Sequence, residues 1–304
     1  MNTSGFQGFV ALLQARLEEL PVFAPIAVVL AAIFTLFTPW LVRRYPPKKP
    51  VDDKALRTWL TNVTYALLSP AAEVFGRSVT TIFVALCAVL MGREVEPALL
   101  KGFGPLARQP YWLIVAEMIV LSDFIFYWTH RMAHRIPLLW RFHAVHHSTQ
   151  HMHAMAALRV HPGESYALVI NTLPLFALGF PLDALAAVAP ISFLYALLIH
   201  SNLPFSARRL SYVVNSPSFH RWHHSLVYRG DGSNFAGFFP LFDRLFGSYY
   251  YPKEPPEALG IDDEHMPENY AAQMLYPFRR ANAEAEAEAP ESVSLASDKP
   301  AASR

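Results

Sequence analysis

Twelve of the thirteen histidines in this sequence fall between His130 and His224. The chain reads HRMAH at 130–134, HAVHH at 143–147 and HRWHH at 220–224, with His161 and His200 between the boxes. The two longer boxes match even at their flanks, Phe142-HAVHH-Ser148 against Phe219-HRWHH-Ser225. Neutral imidazole is the commonest nitrogen ligand for transition metals, and clustering at fixed spacing is how a chain builds a metal site. On a helix, residues i and i+4 share a face with Cβ atoms about 5–6 Å apart, so His130 and His134 can grip one ion. In HxxHH the first histidine shares a face with the last two, which diverge from each other by about 100°. An adjacent pair can therefore serve two different ions. The boxes hold eight imidazoles. Tetrahedral zinc takes four ligands and an octahedral ion at most six, so two ions share them.

Other histidine chemistries fit less well. A zinc-protease site needs Glu directly after the first histidine, and Arg131 stands there. HPGE at 161–164 lacks the second glycine of the haem-binding loop it superficially matches. All-imidazole ligation suits zinc, copper or iron. Structural zinc does not need so many ligands at a membrane face, whereas two redox irons there suit O2 activation against a lipid C–H bond. Neutral ligands leave such a site cationic, and Asp123, Glu164 and Asp243 are candidates to offset that charge. A salt bridge between Asp243 and Arg244 is an alternative use of that acid. His151 and His153 remain unassigned, as surface residues or as groups beside the ligands.

These residues must be held by apolar elements. The chain is 53% hydrophobic and 16% charged, against roughly 25% charged in soluble domains, and its mean hydropathy is +0.22. A net charge of +1 gives no case for a nucleic-acid partner. The single cysteine, Cys87, excludes a disulfide framework and a thiolate site. Val22–Val42 is uncharged and about one bilayer thick. A second span is expected within Ala66–Met91, and a third from Tyr111 to Trp128, carrying Glu117 and Asp123 and running into His130. Apolar runs at 166–180 and 184–199 flank Pro181-Leu182-Asp183 as a full or re-entrant hairpin. Basic residues orient spans. Arg43, Arg44, Lys48, Lys49, Lys54 and Arg57, with the arginines around the boxes, put 43–66, 129–165 and 201–280 on the cytoplasmic side. The first residues lack a basic region and a cleavage site, and read as an amphipathic helix of the mature protein. From about Arg280 the composition turns to Ala, Glu, Ser and Pro, a disordered tail.

The boxes resemble those of the fatty acid hydroxylase/sterol desaturase superfamily of integral-membrane di-iron oxygenases. The resemblance runs from Ala116 to Tyr250. It takes in Asp123-FIFYWT-His130, the three boxes, ALRVHPGE, His200-SN and Asn234-FAGFFPLFDRLFGSYY. Phe242 and Ser248 replace a usual Trp and Thr, and Ala236 intrudes before Gly237. It implies an all-α protein with four transmembrane helices and a cytosolic helical cap holding two irons. It implies O2 as co-substrate, a lipid entering from the bilayer and a separate electron donor of ferredoxin, cytochrome b5 or reductase type. The implied ligands are His130, His134, His143, His146, His147, His220, His223 and His224, joined by His161 and His200. Asn234 is implied to contact a metal-bound water or to orient a ligand, and Asp123 and Asp243 to support the site.

The expected organisation is a membrane region at 1–110, the catalytic region at 111–252, an extension at 253–279 and the tail at 280–304. The expected activity is hydroxylation of a fatty acyl, sterol or related lipid, with desaturation as the alternative on the same scaffold. A divalent-metal transporter is the competing class, disfavoured because its ligands belong within the spans. The expected location is a bacterial inner membrane, or the endoplasmic reticulum in a eukaryote; the C-terminal AASR, with no retention signal, leans toward the former.

Overall fold

The computed structural model describes residues 53–93, 101–203, 209–226 and 232–279. The expected first span, the basic segment up to Pro50 and the expected tail lie outside the described residues. Every described element is helical; the sole β pairing among them is one bridge between Ser225 and Leu259. In chain order they are α1 Asp53–Leu90, α2 Tyr111–Arg135, α3 Pro137–His147, α4 Ser165–Ala177, α5 Leu185–Ile199, α6 Pro217–His223, α7 Leu241–Leu245 and α8 Tyr270–Leu275. Short 3-10 turns join several of them.

Proline sets the two corners that matter most. Pro110 precedes α2, and Pro137 opens α3. The residue before a proline is pushed into extended conformation, and Ile136 sits at φ −95°, ψ 113°. One residue therefore separates α2 from α3, and the chain turns back sharply on itself. At α6, Pro217 occupies the first turn and the Ser216 side chain accepts from the Phe219 N–H, a start signal for so short a helix.

α1, α2, α4 and α5 pack as a bundle. Ile114 and Met118 of α2 meet Leu175, Phe180, Ala184 and Val188, and Val84 and Ala88 of α1 meet Phe176. Tyr111–Arg135 and Leu182–Ile199 are long and apolar enough to cross a membrane, and Gly76–Leu90 is a shorter apolar stretch. Large apolar side chains such as Leu67, Leu86, Leu90, Trp112, Val120 and Leu194 face outward from these helices. The expected second span extends further than the sequence pattern indicated, as one continuous helix from Asp53. The expected third span runs through His134 without a break, so two box histidines sit on the end of an apolar helix. The 253–279 segment returns to the bundle: Tyr65 Oη donates to Gln273 Oε1 at 3.0 Å, and Tyr276 joins a cluster with Tyr65, Ala144 and Val145.

At the opposite end of α2 from the boxes, two glycine loops cross. Gly102 and Gly179 both have positive φ, at 65° and 92°, and the Phe103 N–H donates to Gly179 O at 2.9 Å. A Cβ on either glycine would collide with the other loop's backbone. Gly179→Ala is expected to destabilise the protein by about 2–4 kcal/mol, combining the positive-φ penalty with overpacking. A thermal-unfolding series in detergent checks this; an unchanged midpoint would contradict the close crossing.

Candidate metal centre

The corner at Ile136 folds α3 back so that HAVHH faces HRMAH, and α6 brings HRWHH against both. Nine histidines converge in two groups. His130, His134, His143, His147 and His223 form one, and His146, His200, His220 and His224 the other. Within each group the available ligand atoms all lie within 4.8 Å of one another. His200 enters from the end of α5, where it caps the helix. The groups share an edge because each adjacent pair splits: His146 and His147 face opposite groups, as do His223 and His224. Across that edge the His147 and His224 rings stack at 4.3 Å with 22° between planes.

Backbone carbonyls fix the rings. His130 Nδ1 bonds Phe235 O at 2.8 Å, His223 Nδ1 bonds Ser233 O at 2.8 Å, His200 Nδ1 bonds Ala196 O at 2.8 Å and His146 Nδ1 bonds Arg159 O at 3.3 Å. A carbonyl only accepts, so the proton is on Nδ1 and the lone pair on Nε2. His143 Nδ1 is tied to the Glu164 carboxylate at 2.7 Å. Held this way, Nε2 atoms confront one another at 3.0 Å between His130 and His143 and 3.2 Å between His146 and His200; His220 Nε2, on a ring with no Nδ1 partner, lies 3.0 Å from His200 Nε2 and 3.2 Å from His224 Nε2. Bare lone pairs that close repel unless a cation lies between them. Ligand nitrogens about 2.0–2.1 Å from one ion stand about 3.0–3.4 Å apart, the spacing seen here. His134 Nε2, His147 Nε2 and His223 Nε2 are buried without a hydrogen-bond partner, a state native proteins rarely leave unexplained. The residues fit a metal in each group.

A proton is a poor substitute for that cation. Burial, reinforced by neighbouring rings, holds His146, His147, His220 and His224 well below the ordinary imidazole range. Burial also pushes His223 down to about 3 and His200 to about 4. Near neutral pH these rings are uncharged, the form that binds metal. Trp140 covers His134 and His147 at 5.1 and 5.5 Å between ring centres, and Phe235 covers His134 at 5.2 Å.

The remaining expected site residues divide. Glu164 orients His143, as above. His161 joins neither group. Its Nδ1 accepts from the Gly163 N–H at 2.8 Å, its Nε2 bonds Met274 O at 3.1 Å, and with Glu164 it forms a capping box. Both nitrogens of His161 are thus engaged within the protein. His153 caps a 3-10 turn, its Nδ1 accepting from the Met155 N–H at 3.2 Å. Asp123 and Asp243 are buried and accept from backbone N–H groups rather than pointing at the rings. Arg244 lies 5.2 Å from the centre of the Tyr212 ring. Asn234 donates its amide N–H groups to Phe219 O and Tyr250 O and accepts from the Tyr250 N–H. The carbonyls of Ser233, Phe235, Ala196 and Arg159 escaped sequence reasoning, since a carbonyl carries no residue signature. Arg159 itself is buried, with Nε donating to Asn62 Oδ1 at 2.9 Å and Nη1 to Ser148 Oγ at 2.9 Å.

Residues 115–248 match the fatty acid hydroxylase family. The chain is 29% identical over 244 residues to an ornithine lipid hydroxylase of Rhizobium tropici, covering 79% of this chain and 72% of the relative. It is 28% identical over 236 residues to human alkylglycerol monooxygenase, covering 77% of this chain and 49% of that one. It is 32% identical over 146 residues to a very-long-chain aldehyde decarbonylase of Oryza sativa, covering 46% and 54%. The chain thus spans about half the length of the human and rice relatives. No solved structure matches it.

The two groups give different expectations for His161 and His200. His200→Ala should lower bound metal by the ion of the four-histidine group. His161→Ala should leave metal content at the unmodified level and cost only its cap, about 1 kcal/mol. Elemental analysis of the purified variants checks both; metal loss in His161→Ala would return it to the ligand set.

Proposed function

We propose that this protein is a multi-pass membrane oxygenase with a di-iron centre that hydroxylates a C–H bond of a lipid. The observation that carries this is the pair of edge-sharing imidazole groups at the ends of two apolar helices. His130, His134, His143, His147 and His223 hold one ion; His146, His200, His220 and His224 hold the other. Iron bound there supplies the one-electron and O2 chemistry that no side chain of this chain possesses.

The chain's own part is placement and exclusion. Carbonyl and carboxylate partners hold Nδ1 of His130, His143, His146, His200 and His223 and leave Nε2 of those rings free to face inward. Trp140 and Phe235 wall the five-histidine group from water. α2 and the segment ending α5 deliver His130, His134 and His200 to the rim of the bilayer, where a membrane-dissolved substrate arrives. The Arg-rich segments beside the boxes favour a four-span arrangement with the histidines on the cytoplasmic face. Electrons come from a separate partner of ferredoxin, cytochrome b5 or reductase type. Hydroxylation is preferred to desaturation because the ornithine lipid and alkylglycerol relatives are named as hydroxylase and monooxygenase. The substrate class follows: a membrane lipid bearing a fatty acyl, alkyl or sterol skeleton, or its polar headgroup.

The test is reconstitution in lipid nanodiscs with iron, a reducing partner and 18O2. One 18O atom is expected in a lipid alcohol. His146→Ala and His223→Ala should each lower turnover by more than about 100-fold, since loss of a mere outer partner can reach that, while membrane insertion persists. Divalent-cation flux through proteoliposomes with no oxygenated lipid would overturn the proposal.

A further inference from the structure

The loop at 233–239 supplies the carbonyls that orient two rings of the five-histidine group, Phe235 O for His130 and Ser233 O for His223. What holds the loop is unusual. Asp123 Oδ1 accepts from the Gly237 and Phe238 N–H groups at 2.8 Å each, and its Oδ2 from the Phe239 N–H at 2.7 Å. Asp243 Oδ1 accepts from the Phe235 N–H at 2.7 Å and its Oδ2 from the Ala236 N–H at 3.1 Å. Five consecutive backbone N–H groups thus end on two buried carboxylates. Asn234, at φ 59°, locks the start of the loop. At Gly237 an added Cβ would stand 2.9 Å from Asp123 Oδ1, so the carboxylate requires glycine there.

Asp123 also shares its helix face with the ligands. Asp123, Tyr127, His130 and His134 follow i, i+4, i+7 and i+11 along α2, one stripe of a helix. Tyr127 Oη reaches Ser248 Oγ at 2.8 Å, and Ser248 Oγ donates to Asp243 Oδ1 at 2.8 Å. One helix therefore carries two histidines, the anchor of the loop that aims one of them, and a tyrosine tied to the second anchor. An acid on an apolar helix is costly without partners, and here it has three amide donors. The four-histidine group takes its orienting carbonyls elsewhere, from Arg159 and Ala196.

Resting on the two-metal reading above, we infer that Asp123 and Asp243 are positioning residues for one metal only, the ion of the five-histidine group, acting through the 233–239 loop. The inference predicts selective loss rather than general damage. Metal per chain is measured on the full-length protein in detergent. Unmodified protein should hold two ions, Asp123→Ala one. Adding His134→Ala to Asp123→Ala should change nothing further, because that ion is already gone. Adding His220→Ala should take the count toward zero. Where Asp123→Ala does not insert, Asp123→Asn serves. Its carbonyl can keep the Gly237 and Phe238 contacts, while its NH2 cannot accept from the Phe239 N–H. Asp123→Asn should weaken one of the two ions by about 10–100-fold, as loss of outer partners does, and leave the other unchanged. The inference is overturned by two full-affinity ions in either variant, or by equal loss of both. Fewer than two ions in the unmodified protein would instead defeat the two-metal reading beneath it.

Discussion

Nine imidazoles converge with their ring nitrogens close together, and that crowding constrains the rest of the fold. Hydrogen bonds from Nδ1 to Phe235, Ser233, Ala196 and Arg159 carbonyls turn bare Nε2 atoms toward one another at 3.0–3.2 Å. Burial disfavours, on His146 and His200, the proton that would otherwise relieve the repulsion. A metal ion between the rings would relieve it. Other features of the fold serve this constraint: the one-residue corner at Ile136, the capped start of α6, and the arrival of His200 at the end of α5.

The division into two groups follows from helical geometry. In HAVHH, His143 and His147 share a face and His146 turns away; in HRWHH, His220 and His224 share a face and His223 turns away. The boxes meet in opposite senses, so each contributes two rings to one group and one to the other. Adjacent histidines become the hinge between neighbouring sites. The carbonyls that aim the rings lie outside the boxes, three in loops and Ala196 within α5, so the centre is assembled by the whole bundle.

Much of this was legible in the sequence, and the reason is periodicity. Residue type and spacing mark His130 and His134 as one face without knowledge of the fold. The split of adjacent pairs follows from the same 100° rotation. His161 was not legible: HPGE has the composition of a ligand motif, and only the fold shows both its nitrogens engaged by Gly163 and Met274. Asn234 and the two aspartates stood out by type, but their work on backbone amides is a property of a loop path. The carbonyls of Ser233 and Phe235 were invisible because every residue has one. The apolar pattern located the two long apolar helices, Tyr111–Arg135 and Leu182–Ile199, but set their ends by composition, whereas α2 continues past its apolar stretch until Pro137 forces the turn.

The central claim is that each histidine group holds one metal ion. An anomalous-scattering or high-resolution electron-density map of the iron-loaded, full-length protein tests it directly. The account predicts two separate metal peaks. One would lie among His130, His134, His143, His147 and His223, the other among His146, His200, His220 and His224, each about 2.0–2.2 Å from its ring nitrogens. A single peak, or metal bound away from these rings, would contradict it.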